Sequence, residues 1–222
     1  MLTTEHVLTE TTFSERVRYF PRQLITADDM RLEQEYFREK LRRHNRYLHG
    51  TGVVCGLKVT AKPTSKSPLQ IEIASGYALD PQGDEIYVPR AVPLDLATCG
   101  STKHDEECKP TDVATPTADE NKELFVVLKY HECQSRPVRV TPAGCGCDDS
   151  ACEYSRIRDS FELCCLPTNP EIKKDETKDE GSCPAPATHP WVLLAKVTLP
   201  SDQITAANIQ DLRKAVLSNA VT

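Results

Sequence analysis

The chain has 222 residues, 39% of them hydrophobic, with a formal net charge of -6 and a pI near 5.6. That is enough apolar material for a sizeable core, in one domain or two small ones. The acidic balance argues against a nucleic-acid surface, and no run approaches the roughly 18 consecutive apolar residues of a membrane-spanning helix.

The first twenty residues, MLTTEHVLTETTFSERVRYF, are polar and carry no apolar h-region, so synthesis and retention in the cytosol without a signal peptide are expected. A long helix is predicted from Thr26 onward. Thr26 suits the N-cap with Asp29 three residues on, and acids come early (Asp28, Asp29, Glu33, Glu35). Bases come late (Arg38, Lys40, Arg42, Arg43, Arg46), and Gly50 supplies a left-handed stop. At 1.5 Å per residue this helix spans roughly 33 Å. Met30, Phe37, Leu41 and Leu48 fall at helical spacing with Leu32, Tyr36 and Tyr47 beside them, so the helix reads as touching more than one surface. The late bases read first as complements of the helix dipole and as pairs such as Glu39 with Arg43.

After Gly50 the period changes. Val53, Val54 and Leu57 to Val59 read as a strand, and Leu69 to Ile73 as a second. In GYALDPQGDEIYVP two apolar runs flank Asp80-Pro81-Gln82-Gly83, a hairpin with proline early in the turn and glycine supplying a positive φ. Val92 to Leu96, bracketed by Pro89 and holding Pro93, reads as a short edge strand. Residues 1–99 are thus expected to form a helix with a small antiparallel sheet, and 100–123 a polar linker or loop. Residues 124–222 form the second β unit. There LFVVLKYHE is too continuous for a strand with one wet face and reads as central. Ser155 to Leu166 and Trp191 to Leu199 are further strands, separated by a polar excursion at 168–190. A short C-terminal helix is expected over Thr205 to Leu217, with Ile204, Ile209, Leu212 and Val216 as its stripe. The fold class is α+β, mainly antiparallel β-sheet or sandwich, with a long N-terminal and a short C-terminal helix.

Several of these strings resemble an uncharacterised family associated with phage-tail and phage-tail-like contractile injection particles. The resemblance covers most of the chain and is most specific in the HNRYLHGTGVVCGL corner (His44, Asn45, His49, Gly50, Gly52, Gly56, Leu57). It also includes the pairing of an LLAKV strand with an IxDLR-type segment. Baseplate and tail-fibre attachment proteins are similar in their G-x-A-x-D-x-x-G-x-x-I hairpins, matched by Gly76, Ala78, Asp80, Gly83 and Ile86. The resemblance implies a structural adaptor without catalysis, docked to other subunits of such a particle, as a homo-oligomer or in several copies. It does not extend to the cysteine-rich middle or the two polar excursions.

Ten cysteines are present, and Cys133, Cys145, Cys147, Cys152, Cys164 and Cys165 cluster within 33 residues. Thiolates at Cys145, Cys147 and Cys152, completed by Cys133, His131 or one of Cys164 and Cys165, could hold zinc tetrahedrally, which makes a zinc-binding or thiol-redox module the alternative function. No C-x-x-C knuckle occurs. A disulfide framework and free, partly buried thiols are the competing readings, with free thiols slightly ahead. No other cofactor is expected.

No enzyme is expected either. His44 and His49 stand at i, i+5 and miss the i, i+4 register of a helical zinc-protease site. Cys55 with either histidine would make a nucleophile, but VVCGL reads as core. Phosphate loops, dinucleotide fingerprints and nucleophile elbows do not occur. The corner residues His44, Asn45, Arg46, His49, Gly50 and Gly52 have two readings. One is a contact strip for a neighbouring subunit or for the chain's own C-terminal half. The other, favoured, has Asn45 and His49 binding orphan carbonyls at the helix end.

Overall fold

The computed structural model describes residues 14–99, 123–139, 152–171 and 189–216. The linker at 100–122, most of the 168–190 excursion, and Cys145 and Cys147 lie outside the described residues, as does the side chain of Cys152.

The architecture is α+β and mainly antiparallel. Helix α1 (Ala27–His44) runs on into a π-helical turn (Asn45–His49). Its start carries the expected capping box: the Thr26 N–H donates to Asp29 Oδ2 at 2.8 Å and the Asp29 N–H to Thr26 Oγ1 at 3.2 Å. Ten strands follow in chain order: β1 (Gly52–Gly56), β2 (Val59–Ala61), β3 (Gln70–Ile73), β4 (Gly76–Leu79), β5 (Glu85–Val88), β6 (Val92–Asp95), β7 (Glu123–Arg139), β8 (Cys152–Leu166), β9 (Val192–Thr198) and β10 (Ile209–Asp211).

They form three sheets, ordered β1-β4-β5, β2-β3-β6 and β10-β9-β7-β8. The stretch expected as one strand over 53–59 is divided, because Leu57 turns through φ 56° and sends β1 and β2 into different sheets. The Pro93 strand, β6, lies at an edge and pairs only with β3, as a residue without an N–H requires. β7 is central between β9 and β8, and its Val126 and Val127 are both fully buried on opposite faces. One face joins a single large core that includes Ile71, Ile73, Ile86, Val88, Leu128, Leu194 and Ile204. The other carries a smaller cluster of Val127, Cys164 and Leu193.

The C-terminal helix is not formed. Residues Ala206–Asn208 make one 3-10 turn, Ile209–Asp211 pair with β9, and the chain then lies beside β1 through a parallel bridge between Val53 and Ala215. Sheet edges explain the difference. The open backbone of β9 and β1 takes up the segment's N–H and C=O groups, as in the Leu212 N–H to Leu194 C=O bond at 3.0 Å and the Val53 N–H to Lys214 C=O bond at 2.7 Å.

Candidate functional site

The corner and the hairpin singled out in the sequence meet, and their contact is the best-built polar site of the molecule. The hairpin turn between β4 and β5 is organised by Asp80. Its Oδ1 accepts the N–H groups of Gln82 at 2.8 Å and Asp84 at 2.9 Å, while the Asp80 N–H donates to the Asp84 carbonyl at 3.0 Å. This is an aspartate closing its own turn.

Gly83 at the tip has φ +94° and lies directly against the helix, where an added Cβ would stand 2.2 Å from the Arg42 carbonyl oxygen. Backbone packs on backbone there, which only glycine permits. Arg42 then grips the buried Asp84 with both arms of its guanidinium, Nε to Oδ1 at 2.6 Å and Nη2 to Oδ2 at 2.7 Å, and donates a third bond to Glu39 at 2.8 Å. The Asp84 bonds are the main reason the guanidinium is held well above its ordinary pKa.

Asn45, 4% exposed, completes the junction by donating from Nδ2 to the Gly83 carbonyl at 2.9 Å. Asn45 is the C-cap residue of α1 through its backbone N–H, but its side-chain amide serves the hairpin and not an orphan carbonyl of the helix, unlike the favoured reading. The orphan carbonyl next to it is served by the backbone, since the Gly50 N–H reaches the Asn45 carbonyl at 2.9 Å in a π-type bond. A second tie lies further back along α1. Arg38 pairs with Glu132 on β7, close to Tyr130, whose Oη lies 2.7 Å from Asp159 and 3.2 Å from Glu132. The expected Glu39–Arg43 pair is replaced by Glu39–Arg42, and Arg43 reaches Ser14 instead at 3.1 Å.

Burial pushes the Asp80 carboxyl up to about 6, the backbone N–H donors opposing this and the neighbouring Asp84 charge adding to it. A folded-state value above the unfolded one means the protonated form favours folding. This contribution is present in full below about pH 4 and fades as pH rises through about 6. Asp29 and Asp211, held low by the Thr26 backbone and by Arg213, have the opposite sign and lose stability as pH falls. Asp80→Asn keeps the acceptor without the charge. Relative to wild type it should gain about 1–2 kcal/mol on going from about pH 5 to about pH 7.5 in paired urea titrations. A constant difference across that range would refute the assignment to Asp80.

The remaining corner residues are not convergent. His44 and His49 are both exposed, with ring centroids 5.3 Å apart, and Arg46 lies over the Tyr47 ring at 5.8 Å. Gly50 has φ 77° and ψ -155°, a region almost reserved for glycine rather than the left-handed helical stop expected. Nothing lies within 4 Å of a Cβ built there. Gly50→Val should thus cost about 1–3 kcal/mol through backbone strain alone, read as a lowered midpoint in thermal unfolding. Gly52 leads into β1 where Val53 bonds Lys214.

Cysteine placement bears only on the residues weighed as a fourth zinc ligand, because Cys145, Cys147 and the Cys152 side chain lie outside the described residues. Cys165 is bonded to Cys99, with Cα atoms 5.7 Å apart, joining β8 to the end of the first hundred residues. Cys133 is buried opposite Arg158, seven residues along β8 from Cys165, which puts the two about 23 Å apart. They cannot share one ion. Among the described residues no three His, Cys, Asp or Glu side chains converge on a metal position. Cys164 is not disulfide-bonded, and burial with the Glu162 charge pushes its thiol pKa up, which suits an inert core cysteine. Cys55 is exposed rather than core.

The apolar strip of the helix is turned away from the protein body. Met30, Phe37, Leu41 and Leu48 all face solvent, Phe37 at 55% and Leu48 at 65% exposure, and no residue of α1 is buried. The helix is held to the body by Arg38, Arg42 and Asn45, so its polar side faces the protein. Arg42 and Asp84 each look ordinary alone in the sequence, and Gly83 reads there only as the turn glycine of the hairpin. The DPQGD turn was the only available signal.

No family model matches the chain, and no curated protein matches it. Among solved structures, the crystal structure of TssK is similar at a TM-score of 0.38 and 10% identity, over 84% of this chain. The chain spans 39% of that TssK chain's length. Among the described residues no helix is long and apolar enough to cross a membrane.

Proposed function

We propose that the protein is a structural docking component of a phage-tail-like contractile assembly, acting through its helix and corner without catalysis. The observation that carries this is the outward apolar stripe of α1, fixed in place by the buried Arg42–Asp84 pair. Four large apolar side chains on one helix exposed to water are costly, and an apolar surface of this kind marks an interaction site. The ties to the body favour a rigid presentation, which lowers the ordering cost of binding. The resemblance carried by the HNRYLHG corner and the GYALDPQGDEI hairpin adds support, because these two strings form one physical unit. Asn45, Gly83 and Asp84 belong to them and contact one another or the same turn of helix. The partners are other subunits of the particle, and the protein is present in more than one copy.

The test is to express the full chain with an affinity tag in its own host, purify it gently and image the eluate by electron microscopy. Sheath-and-tube particles or their baseplates in the eluate, lost in a Leu41→Asp variant that still folds, are the expected result. A tagged protein that elutes without particle components would overturn the reading.

A further inference from the structure

The apolar stripe of α1 has a rhythm finer than helical amphipathicity. Met30, Gln34, Phe37, Leu41 and His44 succeed one another in steps of four, three, four and three, a seam in 7/2 register, and all five are exposed, while Leu48 follows in the π-helical turn and leaves that register. This is the spacing of core positions in a left-handed coiled coil, where each residue inserts between four of a partner helix. The neighbours of the seam are charged in a defined pattern. On one flank stand Arg31 and Arg38, and on the other Glu33 and Lys40.

We infer that α1 is a self-association element, pairing in parallel with α1 of a second copy of this chain along the Met30–His44 seam. Charge decides both the occupant and the direction. In a parallel pair each Glu33 faces Arg38 of the second copy five residues on, giving two opposite-charge contacts related by symmetry. An antiparallel pair would instead set Arg38 against Arg38 and Lys40 against Lys40. Arg38 already holds Glu132, but a guanidinium has five N–H donors and can serve two carboxylates. Gln34 within the seam is a polar core position of the type that fixes register. The seam is short for a free-standing coiled coil, yet the helix is already formed by its capping box and its hairpin junction, so association does not have to form it.

The inference rests on the docking reading above and names its first partner. Sedimentation velocity of the full chain over a dilution series should show concentration-dependent association. Leu41→Asp should weaken it by about tenfold or more, with the unfolding midpoint unchanged because Leu41 is exposed. Direction is read by Gln34→Cys in a Cys55→Ser background, where mild oxidation should yield a crosslink from position 34 to position 34, identified by peptide mass spectrometry. A monomer at every concentration, association insensitive to Leu41→Asp, or absence of that crosslink would overturn the inference. A monomer whose capture by particles is nonetheless abolished by Leu41→Asp would mean a different protein occupies the seam, and the docking function would stand without self-association. Association with the crosslink, but no particle, would sink the particle reading alone.

Discussion

Arg42→Met is expected to destabilise the protein by about 3–5 kcal/mol, because it leaves the Asp84 carboxylate buried with its guanidinium gone. The loss would be far smaller at an exposed ion pair, where the median contribution is about 0–1 kcal/mol. Two further variants separate pairing from packing. Asp84→Asn alone removes the charge but leaves an acceptor, and the double variant Arg42→Met with Asp84→Asn should recover part of the loss. In a double-mutant cycle by urea unfolding, a coupling energy of about 2 kcal/mol or more is expected. Additive effects would show that Arg42 and Asp84 do not act as a unit, and the account of how the helix is held would have to be abandoned.

Gly83→Ala should produce a loss of similar size, about 2–5 kcal/mol, from two sources that act together. The residue is at φ +94°, and its new Cβ would press on the Arg42 carbonyl oxygen at 2.2 Å. Neither the helix backbone nor the hairpin can yield without breaking the Arg42–Asp84 and Asn45–Gly83 contacts. Limited proteolysis gives the localised readout: cleavage within 27–49 should rise many-fold in Gly83→Ala, while the strands of the main core stay protected. Unchanged cleavage and an unchanged unfolding midpoint would show that helix and hairpin are not locked together there.

These two substitutions act on contacts between segments about forty residues apart, and that separation marks the limit of what could be read along the chain. The capping box, the charge gradient of α1, the DPQGD hairpin and the placing of Pro93 on an edge strand are local. Each is set by the geometry of a few neighbouring residues, so Thr26 with Asp29 and Asp80 with Gly83 could be recognised by type and spacing. Asn45 was singled out for the right position and the wrong task. Its amide was assigned to the nearest orphan carbonyl, whereas the fold offers it a buried carbonyl on Gly83. Cys165 was weighed with its neighbours in sequence, yet its sulfur partner is Cys99, 66 residues away.

The sequence by itself determined the helix and its start, the hairpin turn, most of the strands and the α+β class, because hydrogen bonds and steric limits within a few residues decide those features. Tertiary structure alone decided three others. The apolar spacing of Ile204, Ile209, Leu212 and Val216 suits a helix, but the open edges of β9 and β1 offered that segment's backbone better partners, so Ile209–Asp211 became strand and the residues after it bond to β9 and β1. The division of β1 from β2 arose because two sheets claim the chain on either side of Leu57. The outward turn of the α1 stripe follows from a buried carboxylate on a distant hairpin. A carboxylate buried without its counter-charge is costly, so Arg42 turns toward the hairpin and the polar side of α1 goes with it.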